Sequence, residues 1–335
     1  STSAASTAEP RRSATGIQRR AASHSGDTAR MGRITGPVLA LALLLAAPLA
    51  THAAEPAAGG PDYAEPGPYR VDVREIEVPR PGTTERFDAR LFMPTPDDED
   101  PDIEASPIYA FGHGYLAPIE PYQSTLEHLA SWGVTVVAPR SGSGLVPSHQ
   151  AFAADLMAAL DEVTARSAAD DWSGLPVDAS ARGIGGHSMG GGAAVLAAAQ
   201  DPDIRAVATL TAADTRPSAV EAATRVQAPM LLVAGSEDRI TPVDEHQRPI
   251  YEAAAGPAQL RILVGGGHCG YLDQADLIGL ICGQDSLSTE EQRTEGRAAL
   301  TAWLRALLMD DPAAAERMAS GSRFVTVETK GVDEA

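Results

Sequence analysis

Between residues 71 and 78 apolar and polar positions alternate, V-D-V-R-E-I-E-V, and the alternation returns around F-D-A-R-L-F-M, 87 to 93. A period of two turns one face of a strand to a core and the other to water. P-G-T-T between the two segments suits a hairpin, so two antiparallel strands are predicted. From residue 107 the texture changes. Six short apolar runs, at 108–111, 134–138, 181–185, 206–210, 230–234 and 260–264, read as strands buried on both faces. Helical patterns are interspersed over 122–132, 151–166, 189–200, 242–254 and 289–308. Such alternation predicts an α/β fold: a mostly parallel central sheet with helices on both faces and an antiparallel N-terminal edge. Chemistry in these sheets gathers at the carboxyl ends of the strands.

The flanks add a second layer of expectation. Residues 69–335 read as a single domain, preceded by a Pro/Gly-rich linker over 54–68. Residues 31–53 open on Met31-Gly-Arg33, continue as an uncharged Leu/Ala run and end in small residues, the pattern of a signal peptide cleaved near Ala53 or Ala54. Pro48 and the shortness of the run disfavour a membrane anchor. Residues 1–30 are Ser/Ala/Arg-rich without periodicity, a disordered extension or upstream sequence. The acidic stretch 94–102 has no metal-loop spacing and reads as a solvated turn.

Charge narrows the partners. The net charge of −19 becomes −23 once residues 1–53 are removed. A field of that sign excludes a nucleic-acid surface and disfavours anionic lipid, leaving a neutral substrate as the best match and no stable membrane partner. Export leads to an oxidising compartment, so the only two cysteines, Cys269 and Cys282, are expected to form a disulfide.

The stretch G-I-G-G-H-S-M-G-G-G, 183 to 192, joins a predicted strand to a predicted helix. Gly186-His187-Ser188-Met189-Gly190 therefore fits G-x-S-x-G in the strand-turn-helix setting that lifts a serine out as a nucleophile. A phosphate cradle would need the P-loop Lys or an acidic ribose partner, and neither is present. A serine needs a base. Of the histidines, His113 comes long before Ser188, His128 and His246 fall in helices, His149 opens one and His187 is inside the motif. His268 alone follows a late strand, in R-I-L-V-G-G-G-H-C-G-Y, and satisfies the order Ser, Asp, His. The acid should end a strand between them: Asp238, with Glu237 in reserve. The oxyanion donors are expected at the N–H of Met189 and, in F-G-H-G-Y, of Tyr115.

Taken together, G-H-S-M-G-G-G, the G-Y-L-A after residue 113, S-E-D-R-I-T-P and the G-G-G-H loop resemble the α/β-hydrolase superfamily over 67–308. Within it they resemble the bacterial cutinase-like polyester hydrolases and their dienelactone-hydrolase-type relatives. The resemblance implies Ser188 as nucleophile, His268 as base, Asp238 as its partner, Tyr115 and Met189 as oxyanion donors, and the Tyr115 ring flanking the acyl group. Polyester hydrolases carry a tryptophan in the loop after the fourth apolar run; this sequence has Ala213 near that position, which removes one side of an aromatic clamp. Their disulfide pins the C-terminus, whereas Cys269 here adjoins His268 and would brace its loop to Cys282. Dienelactone hydrolases use a cysteine nucleophile, which sets this chain apart from them. The expectation is an exported, monomeric serine esterase needing no cofactor or metal. Acyl transfer, thioester or amide cleavage on the same triad, or a non-catalytic binding protein, are the alternatives.

Overall fold

The alternating segments become β1 (Arg70–Pro79) and β2 (Arg86–Thr95) in the computed structural model, which describes residues 60–95, 104–274, 282–283 and 285–331. They run antiparallel, with Arg70 opposite Thr95 and Pro79 opposite Arg86. The six apolar runs become β3 (Ser106–Gly112), β4 (Thr135–Pro139), β5 (Val177–His187), β6 (Ile204–Leu210), β7 (Met230–Gly235) and β8 (Ala258–Leu263), all mutually parallel. A further strand, β9 (Val325–Lys330), completes the order β1-β2-β4-β3-β5-β6-β7-β8-β9. β9 is antiparallel to β8, so both edges are antiparallel, where the sequence predicts only one. The architecture is the α/β-hydrolase fold.

The parallel strands lack alternation because helices cover both faces. On one side lie α2 (His149–Ser167), α3 (Met189–Ala198), α4 (Ala219–Ala223) and α5 (Gln247–Ala253), packing Phe152, Leu156, Leu160 and Val195 on Ile108, Ile184 and Leu232. On the other lie α1 (Gln123–Ser131), α6 (Thr289–Leu308) and α7 (Pro312–Ala319), packing Leu126, Leu129, Leu300 and Leu304 on Tyr109, Val136 and Val233. In β7, Leu231 and Val233 face one layer and Leu232 the other.

Local signals set most helix ends. Ser288 and Glu291 form a capping box that starts α6 where the pattern predicts it. Ser148 caps α2 by accepting the Ala151 N–H, starting it two residues earlier than periodicity alone suggests. α5 is shorter than the expected 242–254. Pro249 has no N–H to give, which a first turn tolerates and an interior does not, and the helix starts only at Gln247. His246 consequently falls at the position just before that helix instead of within it, and its Nδ1 accepts the Asp214 N–H at 2.9 Å.

Packing also begins earlier than the expected linker boundary. Tyr63 is buried, packs its ring at a tilt on Trp132 with centroids 5.0 Å apart and donates its hydroxyl to Asp311 at 2.9 Å. A Pro/Gly-rich segment thus delivers an aromatic anchor to the α1–α6 layer. The N-terminal extension, the signal peptide, the first part of the linker and most of the acidic loop lie outside the described residues. Among the described residues no helix is long and apolar enough to cross a membrane.

Candidate active site

Ser188 is the single residue between β5 and α3, at φ 55° and ψ −120°. A side chain with positive φ is strained by about 1–3 kcal/mol and persists only where its surroundings overdetermine it. Here they do: the Ser188 N–H donates to Leu210 O at 2.9 Å, and its carbonyl accepts from Gly192 N–H at 3.1 Å and Ala213 N–H at 2.9 Å. Gly190 lies so close to the backbone of Gly112 and His113 that a Cβ would be driven into the Gly112 carbonyl oxygen. The elbow and the loop after β3 therefore meet backbone against backbone.

The imidazole comes from the loop after β8. His268 Nε2 lies 3.0 Å from Ser188 Oγ and His268 Nδ1 lies 2.7 Å from Asp238 Oδ2. All three residues are nearly closed off: Ser188 is 7%, His268 6% and Asp238 5% exposed. Asp238 Oδ1 accepts the N–H of Ile240 at 2.9 Å and of Thr241 at 2.8 Å, and Oδ2 accepts the Thr241 hydroxyl at 2.8 Å. Burial alone would raise this carboxyl, but the hydrogen bond from His268, the charge that ring carries when protonated and the donors of Thr241 outweigh it and hold its pKa below the usual value. An ionised carboxylate only accepts, so the His268 proton sits on Nδ1 and the lone pair of Nε2 faces the serine hydroxyl.

The arm is braced from behind. Gln292, fully buried on α6, accepts the Gly267 N–H at 2.9 Å and donates to the Gly267 carbonyl at 2.6 Å. Cys269 and Cys282 form a disulfide with Cα atoms 5.9 Å apart, immediately after His268. Glu237, the reserve acid, turns away from His268 and accepts from the N–H and hydroxyl of Ser286 at 2.9 and 2.6 Å.

Of the two expected oxyanion donors, Met189 follows Ser188 directly, and Tyr115 sits on the loop that meets the elbow at Gly112 and His113. Met189 opens α3, so its N–H is one of the first-turn amides without a helical acceptor. The Gly114 carbonyl accepts the Ala117 N–H at 3.1 Å and lies 2.8 Å from His113 Nδ1. A trans peptide points the Tyr115 N–H the opposite way from that carbonyl, so its direction is set by what holds Gly114. The Tyr115 ring is 46% exposed and its hydroxyl donates to Leu145 O at 2.7 Å, beside exposed Leu116, Leu145 and Val146. Ala213 is half-buried and tied to the elbow by its N–H. Among the described residues no group of His, Cys, Asp and Glu is arranged to hold a metal ion.

Sequence reasoning passes over Thr241, Gln292 and Tyr122. Asp238 followed by Thr241 has the spacing at which an aspartate accepts the N–H groups two and three residues on, and that signal was present. Gln292 carries none, because its partner Gly267 lies 25 positions away.

A hydroxyl facing an imidazole lone pair can lose its proton as it attacks an acyl carbon. The family model described as PETase, PET hydrolase-like, matches residues 95–275, just over half of the chain, and this span contains Tyr115, Ser188, Asp238 and His268. The chain belongs to the PET hydrolase-like family. Membership places it among carboxylic ester hydrolases. It is 30% identical over 235 residues to a bis(hydroxyethyl) terephthalate hydrolase of Streptomyces coelicolor, covering 66% of this chain and 69% of that protein. It is 28% identical over 221 residues to a cutinase of Thermobifida fusca, covering 64% and 68%. Lipase 1 of Moraxella sp. (strain TA144) is 30% identical over 171 residues, 48% of this chain; the match spans only half the length of that lipase.

Proposed function

We propose that this PET hydrolase-like chain cleaves neutral carboxylic esters through a Ser188–His268–Asp238 triad. Ser188 Oγ attacks the ester carbonyl while His268 Nε2 takes its proton; the N–H groups of Met189 and Tyr115 hold the oxyanion. The imidazolium, steadied by Asp238, then protonates the departing alcohol, and a water activated by the same imidazole releases the acid. The observation that carries this reading is the pair of contacts on one ring, 3.0 Å to Ser188 and 2.7 Å to Asp238.

The substrate class follows from the rim. Tyr115, Leu116, Leu145 and Val146 offer an apolar approach, and the strongly acidic chain disfavours anionic substrates. Ala213 leaves the acyl group without a second aromatic wall, so aromatic polyesters should be poorer substrates than aliphatic esters. Export after removal of residues 31–53 is supported by the composition of that segment and by the disulfide.

Replacing Ser188 with Ala tests the assignment. With p-nitrophenyl butyrate, kcat should fall by about 10⁵- to 10⁶-fold, and fluorophosphonate labelling should disappear while the fold is retained. Turnover at the parent rate in Ser188→Ala would show the nucleophile to be elsewhere.

A further inference from the structure

We infer that Tyr122 and His187 are positioning residues, joined in a buried hydrogen-bonded chain that holds the oxyanion loop, the elbow and the histidine loop in one register. The inference rests on the proposed role of Ser188 and His268. The chain runs from Gly114 N–H to Tyr122 Oη at 3.1 Å, from Tyr122 Oη to His187 Nδ1 at 2.9 Å, and from His187 Nε2 to the backbone carbonyl of His268 at 2.9 Å. Tyr122 is fully buried and His187 is 3% exposed.

Every proton in it can be assigned. A carbonyl oxygen only accepts, so His187 must carry its hydrogen on Nε2. Burial, reinforced by the neighbouring His268, pushes the His187 pKa down to about 3, leaving the ring neutral with a single N–H. Nδ1 is then an acceptor, and the Tyr122 hydroxyl donates to it. The hydroxyl has only one hydrogen, so toward Gly114 it accepts. Each donor meets one acceptor and none is left over, the condition under which a buried polar group is not a penalty.

The packing leaves little slack. A Cβ on Gly114 would lie 2.9 Å from His187 Nδ1 and 3.0 Å from Tyr122 Oη, so the backbone reaches these atoms only because position 114 is glycine. The rings pack in series at tilted angles, with centroids 5.1 Å apart for Phe111 and Tyr122, 5.5 Å for Tyr122 and His187, and 4.8 Å for His187 and His268.

The consequence falls on the reacting groups at both ends. With the Gly114 N–H held by Tyr122 and its carbonyl held by Ala117, the following peptide, which bears the Tyr115 N–H, cannot rotate freely. At the far end the His268 backbone is held by His187 while its ring is held by Asp238. His187 itself adjoins Ser188. None of these protons moves during ester cleavage; the chain acts through geometry.

The test uses the exported form of the chain, comparing Tyr122→Phe, His187→Phe, the Tyr122→Phe/His187→Phe double variant and His187→Gln, with Ser188→Ala as the inactive reference. Tyr122→Phe removes one oxygen and should lower kcat about 10- to 100-fold with KM within about twofold, the scale of a small misplacement of reacting groups. The double variant should be no slower than the worse single one, since one broken link opens the whole chain. His187→Gln keeps a donor and an acceptor and should recover most of the kcat lost in His187→Phe. Parent-like kcat in Tyr122→Phe, or losses that multiply in the double variant, would overturn the proposal alone. Parent-like activity in Ser188→Ala would overturn the reading of the site and this proposal with it.

Discussion

Two arms meet at the Ser188 hydroxyl, and the balance of what holds them differs. The elbow is held by backbone against backbone: Gly190 on Gly112, with Ser188 pinned through its own N–H and carbonyl, and with α3 wholly buried and seven of its ten residues Gly or Ala. The histidine arm is held by side chains: Gln292 on Gly267, Thr241 on Asp238, His187 on the His268 carbonyl, Glu237 on Ser286, and a disulfide. One arm has no room for an added atom. The other is tied down largely by polar side chains.

The contrast is broken most severely at Gly190. Gly190→Ala sets a methyl against the Gly112 carbonyl, and neither backbone can yield without moving Ser188, so a loss of at least about 4 kcal/mol is expected. Urea denaturation measures it; a loss under about 1 kcal/mol would mean that the elbow is not held by close approach. The histidine arm should fail by subtraction. Gln292→Leu keeps the volume but strips both partners from Gly267, each buried backbone group costing about 1–3 kcal/mol, or about 3 kcal/mol together. Because Gly267 precedes His268, kcat should fall about tenfold as well. A Gln292→Leu chain that is destabilised yet fully active would confine the residue to a structural role.

The same contrast decides what the sequence makes legible. The elbow is written in consecutive residues, a strand, G-H-S-M-G and an Ala-rich helix, so the local pattern predicts both Ser188 and its setting. His268 and Asp238 are found by strand order, because β7 and β8 end beside β5 and β6 in a parallel sheet. The braces behind them are not found that way. Gln292 sits in an amphipathic helix, where a polar residue reads as solvated, and only the packed structure reveals it as fully buried. Tyr122 reads as the first residue of a helix, and its hydroxyl gains meaning only through residues 8 and 65 positions away. α7 was announced by Asp311-Pro312, a capping residue followed by proline at the first helical position, but its eight residues offer little periodicity. β9 shows the alternation of an edge strand, V-T-V-E-T-K, and lacks the long apolar run that marks the interior strands.

A smaller effect sharpens the comparison by separating the arm from the layer beneath it. Burial pushes His187 down to about 3 and His128, whose Nε2 donates to the Tyr63 carbonyl at 2.9 Å, down to about 4; burial lowers His113 also. In the folded chain these rings stay neutral, while in the unfolded chain a histidine takes up its proton near about 6.5. The unfolded state therefore binds more protons as pH falls, and stability must fall with it, by about 0.7 kcal/mol for each of His128 and His187 between pH 7 and 6. The carboxyls held low, Asp238 and Glu75 among them, stay ionised in both states over this window, so it isolates the histidines. Urea midpoints at pH 7 and 6 should show His128→Gln and His187→Gln each flattening the slope by that amount, the first without touching the site and the second from within it. A His187→Gln slope equal to that of the parent would mean that His187 is not kept neutral. The single N–H that orders the histidine arm would then have no physical basis, whatever the distances between its atoms.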